Sequence, residues 1–259
     1  MLLGVNIDHI AVLREARQIN DPNPLDALGV CKLAGADQIT IHLREDRRHI
    51  NDSDALNIIN LSQLPVNLEC SINDDIIDIV CDLKPHRATL VPENRAEVTT
   101  EGGLDLKSNF KQIKKVIQRL KQNGIEVSLF IDATSDMIKL SKELDVQWIE
   151  IHTGSYANLY AMLYSGLDKT THSIKELELS REELTIRLNK SLKTIKKYSK
   201  KADKLGLKVA AGHGLNYQNI EPIKNIKYIK ELNIGQSIIA RSVFIGLEKA
   251  ILDIKELIK

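Results

Sequence analysis

Aromatic side chains are scarce: Trp, Tyr and Phe make up 4% of the 259 residues, with a single Trp. A core built without them must rely on Ile, Leu, Val and Ala, which the 43% hydrophobic content supplies. That suits a parallel barrel whose interior is packed with branched aliphatics. There are three cysteines, Cys31, Cys70 and Cys81. An odd number without paired spacing argues against a disulfide framework and for a reducing, cytoplasmic setting. Charge of one sign is not in excess. The net value of +1 gives no electrostatic case for nucleic acid or an anionic membrane as partner. No apolar run approaches the roughly 18 residues of a membrane span. Met1 enters an apolar run without the basic flank or cleavage site of a secretory signal, which again points to the cytoplasm. Linker composition, low-complexity tracts and solenoid-period repeats are absent too.

What the chain does have is eight short apolar runs, at 2–9, 38–46, 66–70, 87–93, 127–132, 148–154, 208–214 and 231–236. Each is followed by a helical pattern. Short apolar runs alternating with helices demand parallel pairing through right-handed crossovers. Eight units, and no early G-x-G-x-x-G fingerprint, favour a (β/α)8 TIM barrel with extra helices over an open doubly wound sheet. The length fits one domain spanning 1–259, with a helical insertion at about 155–180 that holds three of the six tyrosines.

Helices are expected at Leu25 to Leu33, from an N-cap at Asp52 or Ser53 to about Leu64, and from Asn73 to the Lys84-Pro85 stop. Further helices are expected at 109–123, 134–144, 181–205 and 217–225, with a last one at 241–258 carrying one buried stripe. The stretch 93–105 reads as a polar lid loop. Trp148 is expected to pack against helices, and Cys70 to be a small buried thiol rather than a nucleophile.

Acidic groups and histidines fall at the last residues of the strand runs, where a barrel of this kind builds its active site. Asn6 and Asp8, two apart, share a face of the first run, and His9 follows. His42 ends the second run, and an imidazole is the side chain suited to proton transfer in either direction at neutral pH. Arg44 and the arginines after it offer forked donors to a phosphate or carboxylate. Those arginines also have a plain reading as a solvated charge run. His42 and His49 lack the companions of a recognisable metal spacing, so no metal is expected. Glu69, between Leu68 and Cys70, is a desolvated carboxylate whose pKa would rise toward that of a general base. Glu150 is of the same kind. His152 shares its face one layer higher, and two readings stay open: a catalytic group, or one that orients Glu150. Gly212, Gly214 and Gly235 fall at the seventh and eighth strand ends, where barrels bind phosphate. His213 between two glycines has little apolar packing and reads as an acid–base group.

The stretches GVNIDHIAVLREAR, ITIHLREDRRHI, LVPENRAEVTTEGGLD, IEIHTGSYA, LKVAAGHGLNYQN and ELNIGQSIIARSVFIGL resemble the pyridoxine 5′-phosphate synthase family from Gly4 to about Leu257. The resemblance implies a barrel with extra helices that assembles as a homo-octamer. It implies condensation of 1-deoxy-D-xylulose 5-phosphate with 3-amino-2-oxopropyl phosphate, without a metal or organic cofactor. His42 and Glu69 match the family's proton acceptors, His213 its proton donor and Glu150 its transition-state stabiliser. Asn6 matches a contact to the aminoketone phosphate, and Asp8, His9, Arg44, His49 and Thr99 contacts to the deoxyxylulose phosphate. Arg17, Gly214 and Gly235 match the remaining substrate positions. Gln236 stands where the family commonly has His, so its phosphate contact loses a charge.

Two rivals stand beside this reading. A different phosphosugar barrel enzyme would share the phosphate loops, but a Schiff-base aldolase needs a lysine at a strand tip and none is there. A barrel that binds a phosphorylated metabolite without turnover would not need several proton-transfer groups.

Overall fold

The computed structural model describes residues 1–93 and 102–259. Eight strands, β1 (Leu2–Asn6), β2 (Gln38–His42), β3 (Val66–Cys70), β4 (Arg87–Leu90), β5 (Glu126–Ile131), β6 (Trp148–His152), β7 (Lys208–Gly212) and β8 (Glu231–Ile234), form a closed barrel in chain order. Every pairing is parallel, and β8 closes on β1 with Gly4 opposite Asn233. The chain is therefore a (β/α)8 TIM barrel. Its helices are α1 (Asp8–Arg17), α2 (Ala27–Leu33), α3 (Asp52–Leu61), α4 (Asp74–Leu83), α5 (Phe110–Gln122) and α6 (Ser135–Glu143). They continue with α7 (Gly154–Tyr164), α8 (Arg181–Lys204), α9 (Ile220–Lys224), α10 (Gln236–Ile245) and α11 (Leu247–Leu257).

The strands alternate strictly, and the alternation inverts the expected interior. Leu3, Val5, Ile39, Ile41, Leu68, Leu90, Val127, Leu129, Ile149, Ile151, Val209 and Leu232 are buried; together with the helix stripes they form the main apolar core. The other face of the strands carries Gln38, Thr40, Asn67, Arg87, Thr89, Ser128, Glu150, Glu231 and Asn233, which are also buried. Arg87 Nη1 donates to Glu231 Oε1 at 2.7 Å. Since β4 and β8 are not neighbours, that bond must cross the barrel. The barrel is thus filled by a hydrogen-bonded polar network, and the branched aliphatics lie between sheet and helices. Trp148 belongs to this inner face: the Arg87 guanidinium stacks 4.0 Å from its ring centroid, so it plugs the barrel instead of packing on helices.

Several boundaries differ from the sequence expectation for local reasons. β1 stops at Asn6, because the Asn6 side chain captures the Asp8 N–H at 2.9 Å and starts α1 there. Asp8 and His9 therefore sit in a helical first turn, where a carboxylate is favoured by the helix dipole, and not on a strand face. The cap of α3 is Asn51, in a reciprocal capping box with Asp54. That helix ends at Leu61, since Ser62 is extended and its hydroxyl donates to Leu64 O. The expected final helix is two helices, parted at Gly246 with φ 79° and ψ 155°, a backbone state that glycine tolerates. Residues 154–180 form α7 and two short 3₁₀ turns. Leu159, Met162 and Leu163 pack with Leu184 in a small cluster apart from the main core.

Candidate active site

At the C-terminal end of the strands the inner face opens into a cavity of about 370 Å³. Its lining includes the sequence candidates Asn6, Asp8, His9, His42, Arg44, His49, Glu69, Glu150, His152, His213, Gly214, Gly235 and Gln236. Arg17 is exposed at the end of α1 and is not part of this lining. Thr99, with most of the expected lid loop, lies outside the described residues. Among the described residues no group of three or more His, Cys, Asp or Glu is arranged to hold a metal ion.

Asp8 ties the first two strands together. Its Oδ1 accepts the His42 N–H at 2.9 Å, and its Oδ2 accepts from Asn6 Nδ2 at 3.0 Å. The imidazole of His42 has Glu93 Oε1 3.3 Å from Nε2. Glu93 also accepts from the Glu45 N–H at 3.0 and 2.8 Å. Burial acts to raise the Glu93 carboxyl, but the bonds from His42 and Glu45 outweigh it and hold the group below the usual carboxylate range.

Beyond β2 the basic run divides. Arg44 and His49 are buried and reach the cavity. Arg47 folds back on the Arg44 and Glu45 carbonyls at 2.7 and 3.0 Å, and Arg48 pairs with Asp46 at 2.5 Å. The last two bind their own loop and do not line the cavity. His49 Nδ1 accepts the Ile50 N–H at 2.9 Å, which leaves Nε2 as the ring's donor. Behind this loop Arg14 makes a bidentate pair with Asp54 at 2.8 and 2.7 Å and bonds His49 O at 2.9 Å.

Glu150 stands at the floor, 2% exposed. Its Oε2 accepts from Asn233 Nδ2 at 2.6 Å. Burial raises its carboxyl to about 7, against the opposing pull of the Asn233 bond. Gly212 on β7 is what allows that position: a Cβ there would lie 2.1 Å from Glu150 Oε1. Its role is to admit a protein carboxylate, whereas the sequence reading gave the Gly-rich ends to an anion.

His213 has φ 74°, a left-handed state rarely taken by residues other than glycine. Thr153 holds it there, its Oγ1 close to both Gly212 O and His213 O at 2.6 and 2.7 Å. Gly214 follows at φ 81°, with Ala157 so near that any Cβ would collide at 2.5 Å. Gly235 caps α10, whose first residues Gln236 and Ser237 line the cavity. The helix N-terminus so presented is suited to an anion.

Sequence reasoning missed Asn233, Phe130, Glu93 and the pairing of Asp132. Asn233 had a signal in the alternation E-L-N-I, which puts it on the same face as Glu231. Cys70 is fully buried and burial raises its thiol, as expected of a structural cysteine.

The chain matches the family described as pyridoxal phosphate biosynthesis protein PdxJ over residues 3–259. It is 73% identical to the pyridoxine 5′-phosphate synthase of Aliarcobacter butzleri (strain RM4018) over 100% of this chain and 99% of that one. It is 64% identical to the protein of the same name from Sulfurovum sp. (strain NBC37-1), covering 100% of each. The chain belongs to the pyridoxine 5′-phosphate synthase family. The resemblance carried by the motifs therefore holds from end to end. Among solved structures, monomers of a phosphoribosylanthranilate isomerase from Thermotoga maritima superpose with a TM-score of 0.57 at 10% identity, covering 100% of this chain and 98% of that one. At that identity the likeness is one of fold. The chain is an enzyme of this family, and its place is in vitamin B6 biosynthesis.

Proposed function

We propose that this chain joins 1-deoxy-D-xylulose 5-phosphate to 3-amino-2-oxopropyl phosphate, giving pyridoxine 5′-phosphate, inorganic phosphate and water, with no metal or organic cofactor. The observation that carries the reading is the meeting of His42, Glu69, Glu150 and His213 in one cavity with two anion-compatible flanks. Ring closure needs imine formation, phosphate elimination, dehydration and proton abstraction, all of it general acid–base work in a site that excludes water. His42 and Glu69 accept protons, and His213 donates one. Glu150, with its carboxyl near half-protonation at neutral pH, hydrogen-bonds to charge as it develops.

Asn6 holds the aminoketone phosphate. Asp8, His9, Arg44, His49 and Thr99 hold the deoxyxylulose phosphate. Gly214, Gly235 and Gln236 form the flank at the α10 N-terminus; Arg17, outside the lining, is given a substrate contact by its match to the family position alone. The enzyme works in the cytoplasm as a homo-octamer of single-domain chains; no helix of the described residues is long and apolar enough to cross a membrane.

Incubating the purified protein with both phosphorylated substrates, in chelator, tests the proposal. Pyridoxine 5′-phosphate and inorganic phosphate appearing in equal amounts is the expected result. Tight binding of either substrate without product would move another phosphosugar reaction to the front.

A further inference from the structure

His152 sits on β6 two residues beyond Glu150, with its side chain 3% exposed, and it lines the cavity. Its Nδ1 lies 3.2 Å from Asp132 Oδ1, just past the end of β5. A carboxylate accepts, so the ring nitrogen facing it carries the hydrogen, and Nε2 is left as the position that exchanges protons. The ring is packed edge-on against that of His213, with centroids 5.1 Å apart and planes at 71°. Phe130 closes the other side of the same cluster, 5.1 Å from His152 and 6.3 Å from His213.

We infer that His152, held by Asp132, is a further acid–base residue of this mouth and exchanges protons with His213. The inference rests on the condensation reading above. A condensation that sheds phosphate and water asks for proton donation more than once. His152 is buried, while His213 beside it is exposed at the mouth, so protons enter through His213. When the ring of His152 gives its Nε2 proton to a departing oxygen, protonated His213 passes one on to it, and His213 takes its replacement from water. Asp132 stays ionised throughout and stabilises the imidazolium. The charged and titratable groups facing His152 are Asp132 from β5, Glu150 on its own strand and His213 beyond β7; Phe130 contributes apolar surface. Asp132 is pinned in turn by the Gly103 N–H, and the His152 bond holds its carboxyl below the usual range. Of the two readings open from sequence, orientation of Glu150 is not what the contacts favour, since the bonds of Glu150 go to Asn233 and those of His152 to Asp132.

The test uses His152→Phe, which keeps an aromatic ring in the cluster, and Asp132→Asn, beside the wild-type enzyme whose product formation is established first. The Phe variant should lose about 10²-fold or more in kcat, while KM for each substrate stays within about threefold. Asp132→Asn removes the charge that holds Nδ1 as the donor, so ring NMR at neutral pH should show His152 losing its single Nδ1–H tautomer, and kcat should fall by about tenfold or more. Wild-type kcat in His152→Phe, or an Asp132→Asn enzyme that keeps both the tautomer and the wild-type kcat, would overturn the inference. The NMR arm needs no turnover, so it separates a failure of this pairing from a failure of the proposed reaction.

Discussion

Asn233 Nδ2 donates to Glu150 Oε2 across 2.6 Å inside the barrel, joining β8 to β6 past Gly212 on the strand between them. Asn233 Oδ1 in turn faces Gln38 Nε2 and Thr40 Oγ1, both at 3.4 Å. Below it Glu231 takes the Arg87 guanidinium at 2.7 Å. The floor of the site is thus the top of a polar column that runs the length of the barrel. A hydrogen bond to a carboxylate favours its charged form, so Asn233 opposes the upward push of burial on Glu150.

Replacing Asn233 with Ala should therefore raise the Glu150 pKa further. A charge-assisted hydrogen bond contributes about 1.5–3 kcal/mol, which corresponds to roughly 1–2 pH units. The kcat profile of Asn233→Ala should show the limb assigned to Glu150 displaced to higher pH by about that amount. An unchanged profile would mean the bond does not set this ionisation.

Glu150 also makes a prediction about stability. Its folded pKa is raised from 4.5 to about 7. Between those values the native state binds more protons than the unfolded chain, so stability falls as pH rises through that window. Glu150→Gln removes the titration and can still accept the Asn233 bond. The variant should match the wild type below about pH 4.5 and exceed it at pH 8 by on the order of 1–3 kcal/mol. Urea denaturation at both pH values checks this.

Gly212→Ala places a methyl group where Glu150 Oε1 now lies. The carboxylate must move, because the β7 backbone is fixed by pairing to β6 and β8. Overpacking of this kind costs about 1–3 kcal/mol, so the barrel should survive. Displacement of a positioned group by about 1 Å can cost 10²-fold in rate. Far-ultraviolet circular dichroism close to wild type, together with a kcat loss of that size, is the expected pair of results.

Arg14 and Asp54 form a buried bidentate pair that also bonds the His49 carbonyl. Arg14→Ala leaves Asp54 buried and uncompensated, at a cost of about 3–5 kcal/mol. The loop carrying Arg44 and His49 should loosen with it. Chemical denaturation should show the stability loss, and the KM for one phosphorylated substrate should rise with it.

Gln236 begins α10 and lines the cavity, where it can offer a phosphate a hydrogen bond but no charge. Gln236→His should lower the KM for one of the two substrates by several-fold, the worth of about 1 kcal/mol, with little change in kcat. Neither constant moving would contradict a phosphate role for this position.

The strands were legible because each is a short apolar run between helical patterns, and the site followed from the strand ends. The interior was misread because the runs looked continuous. Residues such as Gln38, Thr40, Asn67, Thr89 and Asn233 are polar but not charged, and they break an apolar run without announcing a period of two. Their alternation places them all on the inner face. Arg87–Glu231 and Asn233–Glu150 are contacts between strands that are not neighbours, so closure of the barrel creates them. Asp8 shows the limit at a boundary: two polar residues spaced as on a strand became a strand end and a helix start. One side chain, that of Asn6, captured the next turn's N–H. Arg17 carries a family position yet lies on the exposed end of α1, and nothing in its neighbourhood in the sequence marks that.

Single-turnover kinetics of Glu69→Gln and His213→Ala with both substrates test whether the side chains meeting at the mouth perform proton transfer in a condensation. Each variant should bind both phosphates with Kd within about threefold of wild type and lose product formation by about 10²-fold or more. Product at the wild-type rate in either variant, with one phosphate released per turnover, would contradict that role.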